Sequence, residues 1–248
     1  MDVVYPFIDS LKTWQELKYS IASVKKHLKG LDRIWIVGEY PNWLQEEFYY
    51  IPHERVPGIR LTNCYDATRK MELIINHPDI SDNFVLMYDD IYLLQPIGVE
   101  EINKPYCWGH FNEMNFIPGT KHEQLKWSTK VALEEYGFND VASAETHLPR
   151  YFNKRKMQLI FKEFNPIENR LLTNTLYMNY YREPNEQTIV LKQTPGIGAF
   201  FYGYNDPTAS YLPKTEQELN KILDSHLVLN HNNPGLSDML KKAIEARF

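Results

Sequence analysis

Short apolar runs alternate with longer amphipathic ones along this chain. Asp2 to Ile8 is one apolar run, ending in Asp9-Ser10, and Arg33 to Gly38 (RIWIVG) is another. Runs of this length without internal alternation predict strands buried on both faces. Between them Trp14, Leu17, Ile21, Val24 and Leu28 recur every three or four residues, which predicts a helix with one buried stripe, stopped at Gly30. Thr13-x-x-Glu16 has capping-box spacing, and the helix is read as starting near Lys12. The opening is therefore β-α-β, with a helix long enough for a parallel crossover.

Further along, Tyr65 to Asn76 reads as a helix and Asn83 to Tyr88 (NFVLMY) as a third buried strand running into Asp89-Asp90. Another strand is expected around Tyr106 to Phe111. The second half changes character, with helices over Lys121 to Tyr136, Asn153 to Phe164 and Ile167 to Tyr181. Short strands follow at Ile189 to Leu191 and Ala199 to Tyr204. A second capping box, Thr215-x-x-Glu218, precedes a helix near Glu216 to Leu223, and Ser237 to Ala246 closes the chain as a helix. The pattern predicts one α/β domain over residues 1–248 with a helical insertion at about 118–181.

Composition narrows the class. With 248 residues, 43% hydrophobic and 24% charged, the chain suits one sizeable core and excludes a disulfide miniprotein, a collagen-like repeat and a disordered tail. Seventeen tyrosines suit clefts for flat or sugar-like ligands, although cores use aromatics too. A net charge of −5 argues against binding nucleic acid through global electrostatics. Cys64 and Cys107 lack metal-site spacing, and two isolated thiols fit a reducing compartment. No apolar run approaches the ~20 residues of a membrane span, so a soluble cytoplasmic protein is expected.

The strongest local signal is Tyr88-Asp89-Asp90-Ile91-Tyr92. Paired carboxylates at the C-terminal end of an apolar strand stand where open α/β sheets bind ligands, and they suit a hard divalent cation. A turn in which one of them caps a helix is the plainer alternative. Asp9 ends the first strand in the same way and reads either as a ribose or base contact or as a helix cap. His147, in Ala144-Glu145-Thr146-His147-Leu148-Pro149-Arg150, can take a proton from an acceptor hydroxyl or be a structural histidine. Arg170 can hold phosphate oxygens or pair with Glu168. Asn63 and Asp66 stand at a helix start, Arg69 and Lys70 follow and can face a diphosphate, and Asn205-Asp206-Pro207 is either a site or a turn. Walker A, G-x-G-x-x-G and G-x-S-x-G motifs are absent from the sequence.

In order along the chain, these islands resemble the conserved blocks of the Stealth proteins, sugar-phosphate transferases of bacterial capsule synthesis. Asp2 to Asp9 looks like the first block. Glu16 to Val24, Ile34 to Gly38 and Pro41-Asn42-Trp43-Leu44, followed by Asn63 and then Phe84 to Asp90, are similar to the second, with Tyr88 where that family usually has Asn. His147-Leu148-Pro149 and Arg170 resemble the third block, and Phe201-Tyr202-Gly203-Tyr204-Asn205-Asp206 the fourth. The resemblance implies a glycosyltransferase-A-like, Rossmann-like fold, a UDP-sugar-type donor and a divalent metal (Mg²⁺ or Mn²⁺) at Asp89 and Asp90. It also implies transfer of sugar 1-phosphate to a glycan or other acceptor hydroxyl. His147 is then the base, Asp89, Asp90 and Arg170 offset charge on the diphosphate, and Asp9, Asn63, Asn205 and Asp206 position donor and acceptor, with Arg69 added as a donor contact on its own chemistry. Two alternatives stand beside it. One is a glycosyltransferase moving the sugar alone, to a glycan or, less favoured, to a modified nucleic-acid base. The other is a non-catalytic carbohydrate-binding module.

Overall fold

The computed structural model describes residues 1–9, 14–54, 63–114, 120–183, 186–202 and 212–248, with only the backbone described at residues 63 and 64. The apolar runs become a five-stranded sheet. Its strands are β1 (Asp2–Phe7), β2 (Ile34–Gly38), β3 (Tyr49–Pro52) and β4 (Asn83–Leu86), closed at one edge by β7 (Arg150–Asn153). The order is β3-β2-β1-β4-β7; the first four are parallel and β7 pairs antiparallel with β4. A second sheet holds β5 (Ile91–Leu93), β10 (Val228–His231) and β9 (Gly198–Phe201) in the order β5-β10-β9, and β6 (Tyr106–Cys107) pairs with β8 (Ile189–Val190). The helices are α1 (Glu16–His27), α2 (Asn63–Asn76), α3 (Val99–Ile102), α4 (Lys121–Glu135), α5 (Lys154–Phe164), α6 (Thr173–Tyr181), α7 (Glu216–Ser225) and α8 (Asp238–Arg247).

Successive side chains of a strand face opposite ways, and both faces of the main sheet are covered. Val3, Tyr5 and Phe7 of β1 with Ile34 and Ile36 of β2 pack under Leu17, Ile21 and Val24 of α1. Val4, Trp35, Val37 and Leu86 face the other way, against Met71, Ile74 and Ile75 of α2 and Met157 and Ile160 of α5. Each such side chain contributes roughly 1.5–3 kcal/mol by leaving water. The second sheet carries its own core, in which Leu229 and Phe201 meet Leu219 and Leu223 of α7 and Leu240 and Ile244 of α8. The result is the α/β, mixed-sheet, glycosyltransferase-A-like arrangement expected. Among the described residues no helix is long and apolar enough to cross a membrane.

Several expected boundaries shift. The helix read as starting near Lys12 begins at Glu16, with Gln15 in the capping position and no side-chain cap; Thr13 lies outside the described residues. Thr215 does cap α7, accepting from the Glu218 N–H at 3.2 Å, while the Glu218 carboxylate reaches back to the N–H of Lys214 at 2.8 Å. The helix expected from Ile167 starts at Thr173 because Pro166 to Arg170 form a turn. The strand expected from Tyr106 to Phe111 stops after Cys107, and the segment read as a helical insertion also contains β7.

An ion pair between the part-exposed Arg33 and the buried Asp2 ties the first strands together. Asp2, fully buried, accepts from Arg33 Nε at 3.0 Å, Arg33 Nη2 at 2.9 Å, Trp35 Nε1 at 3.1 Å and the Ser81 N–H at 2.8 Å. Replacing one carboxylate oxygen by an amide NH2 removes the charge and sets donor against donor among these four contacts. Asp2→Asn is expected to lower the unfolding free energy by about 3 kcal/mol, read as an earlier urea midpoint at unchanged slope.

Candidate active site

In the main sheet β1 connects through α1 to β2 on one side, while β4 lies on its other side. The strand order thus reverses between β1 and β4, and the crevice beyond their carboxyl ends is where such sheets bind ligands. A cavity of about 670 Å³ opens there. Asp9 enters it after β1, Glu39 after β2, and Asp89 and Asp90 after β4, while α2 supplies Asp66 and Lys70. The far wall carries His122 of α4, Glu145 and His147 ahead of β7, and Thr173 and Asn174 of α6.

The acidic pair sits where the chain leaves one sheet for the other, between Leu86 of β4 and Ile91 of β5. Two buried serines of α1 brace this crossover. Ser20 Oγ donates to the Ile91 carbonyl at 2.6 Å and meets the Tyr5 hydroxyl at 3.1 Å, and Ser23 Oγ accepts from the Leu93 N–H at 3.0 Å. From the other side, Asn230 of β10 donates its amide to the Asp90 carbonyl at 3.0 Å and accepts from the Tyr202 hydroxyl. Burial, with the charge of Asp89 adding, holds the Tyr5 phenol well above its ordinary range.

The near wall is equally fixed. Asp9 accepts from the Trp43 indole at 3.0 Å and donates its N–H to Glu39 at 2.7 Å, so its carboxylate is oriented from β2's side and does not cap α1. Lys70, 2% exposed, stands 2.6 Å from Asp66 and donates to the Phe7 carbonyl at 2.9 Å; Asp66 also meets His53 at 3.1 Å. Gly38 at the end of β2 has φ of 136°, and a Cβ there would run into the Phe7 carbonyl and the Lys70 stem. Glycine is what allows this lysine to tuck under the first two strand ends.

His147 is exposed and left-handed, with φ of 48°. The loop that holds it is locked by Arg150, whose Nη2 donates to the carbonyls of Tyr106 at 2.8 Å and Ala144 at 2.6 Å and to Thr146 Oγ1 at 2.7 Å. Burial lowers the Arg150 guanidinium to about 10, which leaves it charged at neutral pH. Glu145 accepts from the Thr175 N–H at 3.1 Å and from Asn174 Nδ2 at 2.8 Å, capping α6 from outside the helix. Burial raises its carboxyl above the usual range, with Arg150 partly offsetting this. His122, on the first turn of α4, is pulled down to about 4 by burial, with Lys126 and His147 adding to the effect.

One cavity thus brings together Asp9, Asp66, Lys70, Asp89, Asp90 and His147 of the residues singled out in the sequence. Arg170 is exposed on the turn before α6 with φ of 54°, outside that lining, although Leu172 to Asn174 just beyond it are part of the wall. Arg69 is half-buried against Tyr65, 3.4 Å from its hydroxyl, and is also outside the lining. Asn63 begins α2 in the backbone, and Asn205 and Asp206 lie outside the described residues. Sequence reading passed over Glu39, His122 and Asn174 as site residues. No local motif marks them, because only the topology brings them to the crevice.

Among the described residues lining the cavity, six carboxylates face one lysine. Such a wall repels a bare diphosphate and attracts cations. Among the described residues no group of three or more His, Cys, Asp or Glu converges into a ready-made metal cage. The donor set of Asp89 and Asp90 is hard oxygen, which fits Mg²⁺ or Mn²⁺ held by one or two carboxylates, with water and ligand phosphates completing the shell.

No family model matches the chain. Over 170 residues it is 25% identical to the capsular polysaccharide phosphotransferase eps5J of Streptococcus thermophilus, a match covering 66% of each chain. The same figures hold for the capsular polysaccharide phosphotransferase CpsJ of that species. The capsular polysaccharide phosphotransferase LcbA of Aeromonas hydrophila is 29% identical over 125 residues, 47% of this chain and 31% of that protein. This chain resembles capsular polysaccharide phosphotransferases. The matches to these phosphotransferases span just under two thirds of the first two relatives' length and under a third of the third's. The relationship expected from the ordered blocks is borne out by the relatives' names.

Two outcomes test the far wall. Because the folded state holds His122 neutral down to about pH 4, the unfolded chain takes up its proton first as pH falls from 6.5, and stability drops across that window. His122→Gln is expected to flatten the pH dependence of the urea-unfolding free energy there by up to one proton. Arg150→Met strands two carbonyls and is expected to cost about 2–4 kcal/mol, with faster amide hydrogen exchange across residues 143–148 than elsewhere.

Proposed function

We propose that this protein transfers sugar 1-phosphate from a nucleotide-diphosphate sugar to an acceptor hydroxyl. The observation that carries the reading is the braced Asp89–Asp90 turn at the point where strand order reverses, facing two histidines across one cavity. The names of the relatives support the same reaction class.

In this reading the acceptor oxygen attacks the sugar-bearing phosphorus, the bond to the bridging oxygen breaks, and nucleoside monophosphate leaves. His147, exposed at the cavity wall, takes the proton of the attacking hydroxyl, a role worth about 10²–10⁴ in rate. His122, kept neutral by burial, is a weak base there and offers a hydrogen bond, leaving the proton transfer to His147. Asp89 and Asp90 would hold Mg²⁺ or Mn²⁺, whose charge offsets that of the diphosphate when it is bound. Asp9, steadied by Trp43, orients the donor. Arg170 and Arg69 stay candidate phosphate contacts on their chemistry, and Asn63, Asn205 and Asp206 remain donor contacts by resemblance. A transferase moving the sugar alone would release nucleoside diphosphate instead, and the relatives' names favour the first product.

Incubation with a panel of UDP-sugars, Mn²⁺ and glycan acceptors is expected to release nucleoside monophosphate. Asp90→Asn and His147→Asn are each expected to slow release by about 10²–10⁴, and chelation by EDTA to abolish it. Diphosphate as the nucleotide product would instead show transfer of the sugar alone. Turnover unchanged in Asp90→Asn would remove the acidic turn from the mechanism.

A further inference from the structure

A second cavity, of about 130 Å³, lies beside the edge strand β7 and shares Asn174 with the first. Its charge is of the opposite sign. Lys104, Arg150, Lys156 and Arg182 line it against Glu186 alone among the described residues, in a chain whose net charge is −5. Lys104 is paired with Glu101 at 2.6 Å, and Arg182 stands 3.8 Å from Asp140. Lys156 sits over the Tyr181 ring at 4.7 Å, and no carboxylate among the described residues lies within ion-pair distance of it. Tyr177 and Tyr181 supply aromatic faces.

Two buried groups in this wall hold a polar atom without a hydrogen-bond partner among the described residues: Nε of Arg150 and Oδ1 of Asn174, each on a residue 8% exposed. One is a charged donor and the other an acceptor. Leaving such atoms unmade is costly, about 1–3 kcal/mol or more for a charged group. A ligand offering both an anionic oxygen and a hydroxyl suits a wall that carries such a donor and acceptor just beneath its surface, and tyrosine faces suit the apolar side of a sugar ring.

We infer that this cavity is a subsite for a phosphate-bearing saccharide, holding an anionic stretch of the acceptor glycan while its reactive hydroxyl lies across Asn174 in the acidic cavity. The inference rests on the proposed sugar-phosphate transfer, since a product joined through phosphodiesters is itself a polyanion with sugar rings. The acidic cavity is unsuited to such a chain without cations, whereas the basic one takes it directly.

Two methionines report on the two cavities separately, Met71 in the wall of the first and Met178 in that of the second. The chain carrying ¹³C-methyl methionine is titrated, without metal or donor, with glucose 6-phosphate, inorganic phosphate and glucose, and methyl shifts are followed by NMR. Glucose 6-phosphate is expected to shift Met178 saturably, more tightly than either other probe. Lys156→Glu is expected to weaken this roughly tenfold. Lys242→Glu, the same charge change on the exposed face of α8, should titrate like wild type. A shift of Met71 alone, equal titration by inorganic phosphate, or equal effects of the two variants would each overturn the subsite. None of these readouts needs turnover, so a failed transfer assay and a failed subsite remain distinguishable.

Discussion

The cavity exists because a crossover between two sheets is held rigid. Between Leu86 and Ile91 the chain must turn out of the main sheet carrying two adjacent carboxylates, which repel each other and favour water. What keeps them at the strand end is neutral hydrogen bonding to the backbone around them. Ser20 and Ser23 act from α1, and Asn230 acts from β10. Both residues themselves line the crevice beyond the strand ends.

The molecule also separates charge in space. Its acidic wall gathers residues that follow β1, β2 and β4, and its basic recess gathers residues of β7, α5 and α6 with those between α3 and β6. Glu145, Arg150 and Asn174 form the partition. Arg150 is held by backbone carbonyls and Glu145 by the Thr175 N–H and the Asn174 amide, so the partition is stiff without relying on one salt bridge, whose desolvation would offset much of its attraction.

Much of this was legible in the residues. Buried strands announce themselves as apolar runs, and β1, β2 and β4 did so, together with the acids at their ends. Strands that bury polar groups do not. β7 reads as Arg-Tyr-Phe-Asn, and nothing local says that Arg150 will find three acceptors inside the protein. β10, Val-Leu-Asn-His, is fully buried because Asn230 and His231 find partners in Asp90 and Tyr92, far away in sequence. His122 and Glu145 were hidden for the same reason: their surroundings are made by other segments. Arg170 shows the reverse, a residue marked by its block whose side chain the fold leaves exposed.

The distance in sequence between Asp90 and Asn230, 140 residues, carries a temporal consequence. At ribosomal speed that interval takes roughly 7 to 28 seconds. For that time a nascent chain can assemble the parallel strands β1 to β4 while the central strand of the second sheet is still unmade. The parallel scaffold therefore has time to settle before the last hydrogen bond to the acidic turn can form. Competence to bind is a late event of biosynthesis, and truncated products would carry the carboxylates without their full support.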